Sequence, residues 1–266
     1  MAEKKTAIIT GAASGLGLEF SKLLASDGYH LIMVDIDKAK LEAAKDDILN
    51  NFQVEIKTLF IDLSDKGSAD LLYTQTKEYD PEIVINNAGF GLGGYFSETD
   101  WELEQKMINL HVYTPTRFCK LVLKDMISAG RGKIMNVASV AAFAPGPLMA
   151  IYYSTKAYLL SFGRAISNEL KGTGVSMTTV CPGLVRTGFS GTRAKNAGVD
   201  APAPGIMSDS AGRVAGIAYR AMIKGKTVSV PVFKNRLMNF LLWLLPVSLT
   251  IRIIRRSQNK FNMPKK

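Results

Sequence analysis

The chain has 266 residues, 47% of them apolar and 21% charged, which is ordinary for a soluble globular protein and long enough to bury a large core without disulfides or metals. Two cysteines (Cys119, Cys181) and two histidines (His30, His111) match no CxxC or metal-ligand spacing; no metal site is expected, and buried free thiols in a reducing compartment are. The net charge of +10 is uneven: no acid follows Asp209, twelve of the 33 Lys and Arg lie from Arg213 to Lys266, and the rest sums to about −2.

In chain order, the start Met1-Ala-Glu-Lys-Lys runs into a strand-like stretch ending at Thr10, without a signal-peptide apolar region. A cytoplasmic protein is expected. Helical spacing follows over Leu16–Ser26, then a strand over His30–Asp35 that ends in an acid. Lys38–Asn50 is a charged amphipathic helix, Val54–Asp62 a third strand and Lys66–Glu78 a third helix. Glu82–Asn86 is a fourth strand. Glu98–Ser128 is predicted as one long helical stretch bent at Pro115. Lys133–Ser139 is a fifth strand, Tyr152–Lys171 a helix, Val175–Cys181 a sixth strand and Thr227–Val232 a seventh. Residues Gly188–Ser208, rich in Gly, Ala and Pro, read as a mobile loop.

Continuous apolar strands alternating with helices imply a parallel sheet covered on both faces. Right-handed crossovers then give a doubly wound, Rossmann-like α/β sheet of about seven strands. Residues 1–233 form this single domain, and 234–266 a basic, apolar helical extension. In such sheets ligands bind beyond the carboxyl ends of the strands, where the unusual residues of this chain fall.

After the first strand comes Thr10-Gly11-Ala12-Ala13-Ser14-Gly15-Leu16-Gly17, opening a helix. Glycines there allow a tight turn and close approach of a pyrophosphate, and the helix N-terminus offers free N–H groups. A purely structural glycine turn is the alternative. Asp35, at the end of the second strand, suits the ribose hydroxyls and repels a 2′-phosphate. Asp37 adds negative charge, while Ser14 and Ile36, where a basic residue could neutralise that phosphate, are uncharged. The reading is NAD over NADP. Asp62 could contact the adenine amino group or cap a helix before Ser64.

Four further motifs follow in register. Asn86-Asn87-Ala88-Gly89 comes after the fourth strand, Ser139 precedes Tyr152 by thirteen residues, Lys156 lies four beyond Tyr152, and Pro182-Gly183-Leu184-Val185-Arg186-Thr187 follows the sixth strand. Together with the TGxxxGxG-like loop, these make the chain resemble the short-chain dehydrogenase/reductase family over roughly residues 6 to 190, closest to a branch with an extended C-terminus. The resemblance implies a nicotinamide-dependent oxidoreductase acting on CH–OH groups, assembled as a homodimer or homotetramer. It implies a cofactor site of Gly11, Ser14, Gly15, Leu16, Gly17, Asp35, Asp62, Leu63, Asn87, Ala88, Gly89, Tyr152, Lys156, Pro182, Gly183, Val185 and Thr187. It implies catalytic roles for Asn109, Ser139, Tyr152 and Lys156.

The chemistry fits those residue types. Residues four apart in a helix share a face, so Lys156 lies beside Tyr152. A tyrosine, with a reference pKa of about 10, is a poor base near neutrality, and a neighbouring ammonium favours its phenolate. Tyr152 would then take or return the substrate hydroxyl proton. Ser139 would hydrogen-bond the substrate oxygen, with an ordinary cap as its alternative. Lys156 would also hold the nicotinamide ribose, and Thr187 the carboxamide. By resemblance, Asn109 holds a water linking Lys156 to solvent, and a helix-kink role for it stays open. Tyr153 lacks a lysine four residues on and reads as a packing or substrate-lining residue.

Phe90, Phe143, Leu148, Phe189, Val199 and Met207 are candidate substrate-lining residues. They are apolar and include no anion-binding cluster, so a hydrophobic secondary alcohol or ketone is expected. A catalytically silent NAD-sensing protein or a membrane-surface binding protein is the alternative; a sensor would have no need of the Asn109, Ser139, Tyr152, Lys156 set. The stretch Leu237–Ile254 is strongly apolar but split by Pro246 and interrupted by Arg252. Its uninterrupted part is about fifteen residues, short of the roughly twenty that span a bilayer. Three readings stay open for the extension: lining the pocket or capping the sheet, forming a dimer interface, or lying on an anionic membrane through Arg252, Arg255, Arg256 and Lys260. No nucleic-acid recognition module accompanies the charge, and no nucleic-acid partner is expected.

Overall fold

In the computed structural model, which describes residues 5–187 and 208–262, strand β1 (Thr6–Thr10) is buried along its whole length. Its alternating side chains feed two cores: Ala7 and Ile9 point to one face, Ile8 to the other. The strands that follow are β2 (His30–Asp35), β3 (Ile56–Phe60), β4 (Ile83–Asn86), β5 (Gly132–Val137), β6 (Val175–Val180), the short pair β7 (Val185–Arg186) and β8 (Asp209–Ser210), and β9 (Val228–Ser229). Seven of them form one sheet in the order β3-β2-β1-β4-β5-β6-β9. Every pairing in it is parallel. The expected doubly wound α/β fold is therefore present, with its change of direction between β1 and β4.

Helices cover both faces. On one, Phe20 and Leu24 of α1 (Gly15–Ser26), Leu41 and Ile48 of α2 (Lys38–Leu49) and Ala215 and Ala218 of a C-terminal helix over Ala211–Ile223 pack on Ile9, Met33 and Ile85. On the other, Leu72 of α3 (Ser68–Thr76) and Phe118 and Val122 of a helix over Thr114–Ser128 pack on Ile8, Val34 and Ile134. The two cysteines are buried free thiols, as expected. Burial pushes both up to about 12, so neither is a nucleophile at neutral pH.

Two expectations are corrected. The long helix over Glu98–Ser128 is two helices, α4 (Trp101–Ile108) and α5 (Thr114–Ser128), joined by a π-helical turn at Asn109–Tyr113. The irregularity lies before Pro115, not at it. A proline ring crowds the carbonyl four residues back, here His111, and the wider π turn relieves that contact while Pro115 itself sits in the first turn of α5. The seventh strand is shorter than Thr227–Val232: only Val228 and Ser229 pair with β6. Pro231 cannot donate to a ladder, and Val232 turns away with φ of 69°. The β7–β8 pair, two residues in each strand, is too short to carry an alternating signature in the sequence. Of the loop expected over Gly188–Ser208, residues 188–207 lie outside the described residues.

The remaining helices are α6 (Ala150–Glu169), α7 (Ala211–Ile223), α8 (Phe233–Leu244) and α9 (Val247–Asn262). The last two are separated at Pro246, as its ring requires. Among the described residues no helix is long and apolar enough to cross a membrane.

Candidate active site

The glycine loop lies where β1 hands over to α1. Gly11 and Gly15 have φ of 65° and 57°, a backbone that side chains resist. Gly17 is needed for space, since a Cβ there would lie 2.0 Å from the Gly11 carbonyl oxygen. Ser14 precedes the helix and makes no side-chain cap bond. The first turn of α1, with Gly15, Leu16 and Gly17, thus offers helix-start N–H groups that the Ser14 side chain does not cap, a fit for a pyrophosphate.

Asp35 stands at the carboxyl end of β2. Its carboxylate accepts from the Ala13 N–H at 3.0 Å and from the Asp37 N–H at 3.1 Å. It is therefore a tie for the glycine loop as well as a candidate ribose ligand, a role the sequence did not reveal. Asp62 is engaged in its own turn: one carboxylate oxygen accepts from both the N–H (2.9 Å) and hydroxyl (2.6 Å) of Ser64. That is a local cap of the kind foreseen, although it caps a turn before α3 rather than the helix itself. The Leu63 carbonyl is held by the hydroxyls of Thr114 (2.8 Å) and Ser68 (3.2 Å), which pins this loop to α5.

The Asn86–Gly89 segment locks onto the glycine loop. Thr10 Oγ1 accepts from the N–H groups of Asn87 and Ala88, both at 3.0 Å. Asn87 Nδ2 donates to the carbonyls of Thr10 at 2.9 Å and Gly11 at 3.1 Å. Gly89 then makes room for His111, for which the sequence offers no role: a Cβ at Gly89 would lie 2.7 Å from His111 Nε2. His111 is buried within the π turn. Its Nε2 accepts from the Phe90 N–H at 3.3 Å and its Nδ1 lies 3.1 Å from Thr155 Oγ1. Its ring meets Tyr152 edge-on with centroids 5.9 Å apart. Burial, and then the Lys156 charge, push His111 well below its ordinary value, so it is neutral. Nothing short-range marks it; the one available signal is an imidazole in an otherwise uncharged turn of a buried helix. Among the described residues no group of His, Cys, Asp and Glu could hold a metal.

Asn109 opens the same π turn, and its Nδ2 donates to the Ser64 carbonyl at 3.0 Å. Its amide thus braces the helix break against the loop after β3.

Ser139, Tyr152 and Lys156 come from two neighbouring elements. Ser139 follows β5 and caps the short helical turn Val140–Phe143 by accepting from the Ala141 N–H at 3.1 Å. The cap uses the oxygen as acceptor, so the hydroxyl proton can still be donated. Tyr152 and Lys156 lie one turn apart near the start of α6, with the ammonium 5.7 Å from the Tyr152 ring centroid. Tyr152 is half-buried and Lys156 buried. Lys156 Nζ donates to the Val137 carbonyl at 3.0 Å, which fixes it under the end of β5. Burial pushes its ammonium down to about 8, so it remains a cation at neutral pH. Lys156 also lines a small cavity with His111, Asn86 and Thr10.

The Pro182–Thr187 segment closes the site from the other side. The Pro182 carbonyl accepts from the Val140 N–H at 2.9 Å, joining it to the Ser139 turn. A Cβ at Gly15 would lie 3.0 Å from Thr187 Cγ2, so Thr187 rests against the glycine loop. Val185 belongs to β7, and Gly183 is pressed against Asn235 of α8. Of the candidate substrate-lining residues, Phe143 is exposed with Arg164 over its ring at 6.0 Å. Leu148 is buried, its carbonyl accepting from the Gly94 N–H at 2.9 Å, and faces a small pocket with Leu92 and Phe96. Phe189, Val199 and Met207 lie outside the described residues.

Comparison with known proteins places the chain in a family. The profile of the short chain dehydrogenase family matches residues 5–198. The chain is 28% identical over 219 residues to the human very-long-chain 3-oxoacyl-CoA reductase, covering 80% of this chain and 69% of that protein. A short-chain dehydrogenase from Sphingobium yanoikuyae, solved in complex with NADPH, is 26% identical with a TM-score of 0.79, covering 91% of this chain and 96% of that one. A bulky-bulky ketone specific alcohol dehydrogenase from Comamonas testosteroni is 25% identical with a TM-score of 0.76, covering 92% and 96%. The chain therefore belongs to the short-chain dehydrogenases, as an oxidoreductase that works with a nicotinamide cofactor on CH–OH groups.

Proposed function

We propose that the protein interconverts a hydrophobic secondary alcohol and its ketone, with NAD preferred over NADP. The observation that carries the reading is the buried Lys156 ammonium, held on the Val137 carbonyl and 5.7 Å from the Tyr152 ring. Burying an ammonium is costly, and its place beside the Tyr152 ring supports a role in favouring the phenolate.

The first turn of α1 and Gly11 would hold the pyrophosphate, Asp35 the adenosine ribose, Lys156 the nicotinamide ribose and Thr187 the carboxamide. When bound, the nicotinamide supplies or takes up hydride. Tyr152 gives the substrate oxygen its proton, or removes it, through the phenolic oxygen. The Ser139 hydroxyl donates a hydrogen bond to that same oxygen and holds it against Tyr152. Lys156 keeps positive charge beside Tyr152, and Asn109 braces the helix break beside which Lys156 lies.

NAD preference is supported by the Asp35 carboxylate at the end of β2, with Ile36 exposed and uncharged beside it. A hydrophobic substrate is supported by apolar Phe90 and Phe143 beside the site, and by the ketone that the Comamonas testosteroni enzyme's name describes. A homodimer or homotetramer fits the exposed Tyr113 and Tyr158, which lie on adjoining helical segments. The deciding experiment is cofactor turnover over a panel of secondary alcohols and ketones with both cofactors. Turnover with NAD and bulky apolar substrates is expected; cofactor binding without turnover across the panel would overturn the reading.

A further inference from the structure

Helix α8 is turned the wrong way round for a helix that only has to fold. Its inward positions carry Asn235, which is buried, and Asn239, whose Nδ2 is buried with no partner among the described residues. Its outward positions carry Phe233, Leu237, Phe240, Leu241 and Leu244, spaced so that they form one stripe, with Met238 and Trp243 beside it. Trp243 and Phe233 are 77% and 75% exposed. Val247, Leu249 and Ile253 of α9 are exposed apolar residues as well. Single exposed apolar residues are ordinary, but a continuous stripe of this kind marks an interaction surface.

The charge around the stripe selects its partner. Arg236 on α8 and Arg252, Arg255 and Arg256 on α9 are exposed, and no acid occurs after Asp209, which is itself taken by Lys234 at 3.1 Å. A two-fold dimer through this face would set the same patch against itself, bringing arginines together with no carboxylate of the segment to pair them. An anionic bilayer surface meets both features at once, taking apolar side chains below its headgroups and attracting the basic ones.

We infer that α8 and α9 form a peripheral docking surface for anionic phospholipid membranes, with α8 lying in the interface plane. The surface is joined directly to the active site. Asn235 presses on Gly183, and Gln258 of α9 donates to the Tyr153 hydroxyl at 3.0 Å, next to Tyr152. Docking through α8 and α9 therefore acts on elements that touch Gly183 and Tyr153. The inference does not depend on which substrate is turned over.

The chain has two tryptophans, so full-length protein carrying Trp101→Phe reports on Trp243 alone. With phosphatidylcholine vesicles containing phosphatidylserine, Trp243 emission shifts to the blue and the protein floats with the lipid; phosphatidylcholine alone binds it much more weakly. Arg252→Gln, Arg255→Gln and Arg256→Gln together weaken binding about a hundredfold, since one basic residue near an anionic surface contributes about fivefold. Phe240→Ser with Leu244→Ser abolishes flotation while cofactor turnover and the circular dichroism spectrum stay unchanged. Failure to float on anionic vesicles would overturn the inference, as would equal binding by the arginine variant. A blue shift that rises with protein concentration in the absence of lipid would assign the stripe to a second copy, and would overturn it too.

Discussion

His111 Nδ1 lies 3.1 Å from Thr155 Oγ1, and the Thr155 hydroxyl lies 2.9 Å from the Tyr152 carbonyl to which it donates. Since Thr155 spends its proton on Tyr152, the imidazole must carry its own proton on Nδ1, which leaves Nε2 to accept from the Phe90 N–H at 3.3 Å. One neutral ring thus couples the segment after β4 to the helix that bears Tyr152.

A buried histidine that must stay neutral makes the protein acid-sensitive. Its folded pKa is depressed, so below about pH 6.5 the unfolded chain binds a proton that the native state does not, and stability falls as pH falls. The slope from this one group approaches about 1.4 kcal/mol per pH unit. Denaturant unfolding between pH 7 and pH 5 should show this limb in the wild type and a flatter one in His111→Gln. An unchanged limb in the variant would show that His111 is not its source. His111→Gln should also lower kcat more than it raises KM, because Tyr152 is left less well held.

Tyr152→Phe removes the proton carrier and leaves Lys156 on the Val137 carbonyl. Turnover should fall by at least about a hundredfold to ten-thousandfold, the usual contribution of a positioned acid or base. Cofactor affinity measured by calorimetry should change by no more than a few-fold. Substantial activity in this variant would remove Tyr152 from the chemistry.

Asp35→Ala should shift the ratio of kcat/KM for the two cofactors toward NADP, because a carboxylate that repels a 2′-phosphate is gone. The same change also releases the Ala13 and Asp37 N–H groups. Hydrogen bonds to a charged acceptor contribute about 1.5–3 kcal/mol, so a lower Tm should accompany the kinetic change. A lower Tm with an unaltered cofactor ratio would leave Asp35 with only its role in holding the loop.

Far from the site, Tyr219 donates to Asp27 Oδ2 at 2.6 Å, tying α7 to the end of α1. Burial, then the hydrogen bond and charge of Asp27, push the Tyr219 phenol up. A raised folded value means that its contribution is complete below the unfolded pKa of about 10 and is lost as pH climbs through the folded value. Tyr219→Phe should therefore cost about 1.5–3 kcal/mol at neutral pH, the worth of a hydrogen bond to a charged group. The gap from wild type should close in strongly alkaline unfolding titrations. A pH-independent gap would point to packing instead.

Most strands and helices were legible because their signals are local. Apolar runs ending at Gly11 and Asp35 and the four-residue step from Tyr152 to Lys156 are all written within a few residues. The failures have one physical origin. The break at Asn109–Tyr113 reflects Pro115 acting on His111 and Asn109 reaching Ser64, 45 positions away in the chain. The short β9 depends on how far β6 extends, and β7 and β8 are two-residue strands that pair 24 positions apart in the chain.

The amino-acid order by itself determined the alternation of strands and helices, the glycine turn and the helical face shared by Tyr152 and Lys156, because periodicity and short spacings encode these directly. Only the tertiary structure decided that Asp35 ties down the glycine loop, that Asp62 is spent on its own turn and that neutral His111 sits against Tyr152. For Asp35 and His111 the partners, Ala13 and Tyr152, lie far along the chain, while the Asp62 turn was one of two local readings that only the fold could choose between. Helix α8 makes the distinction plainest: its sequence has an apolar side and an asparagine side, but periodicity cannot say which one meets the domain. Packing of Asn235 against Gly183 turned the asparagines inward and left Phe240, Trp243 and Leu244 facing out.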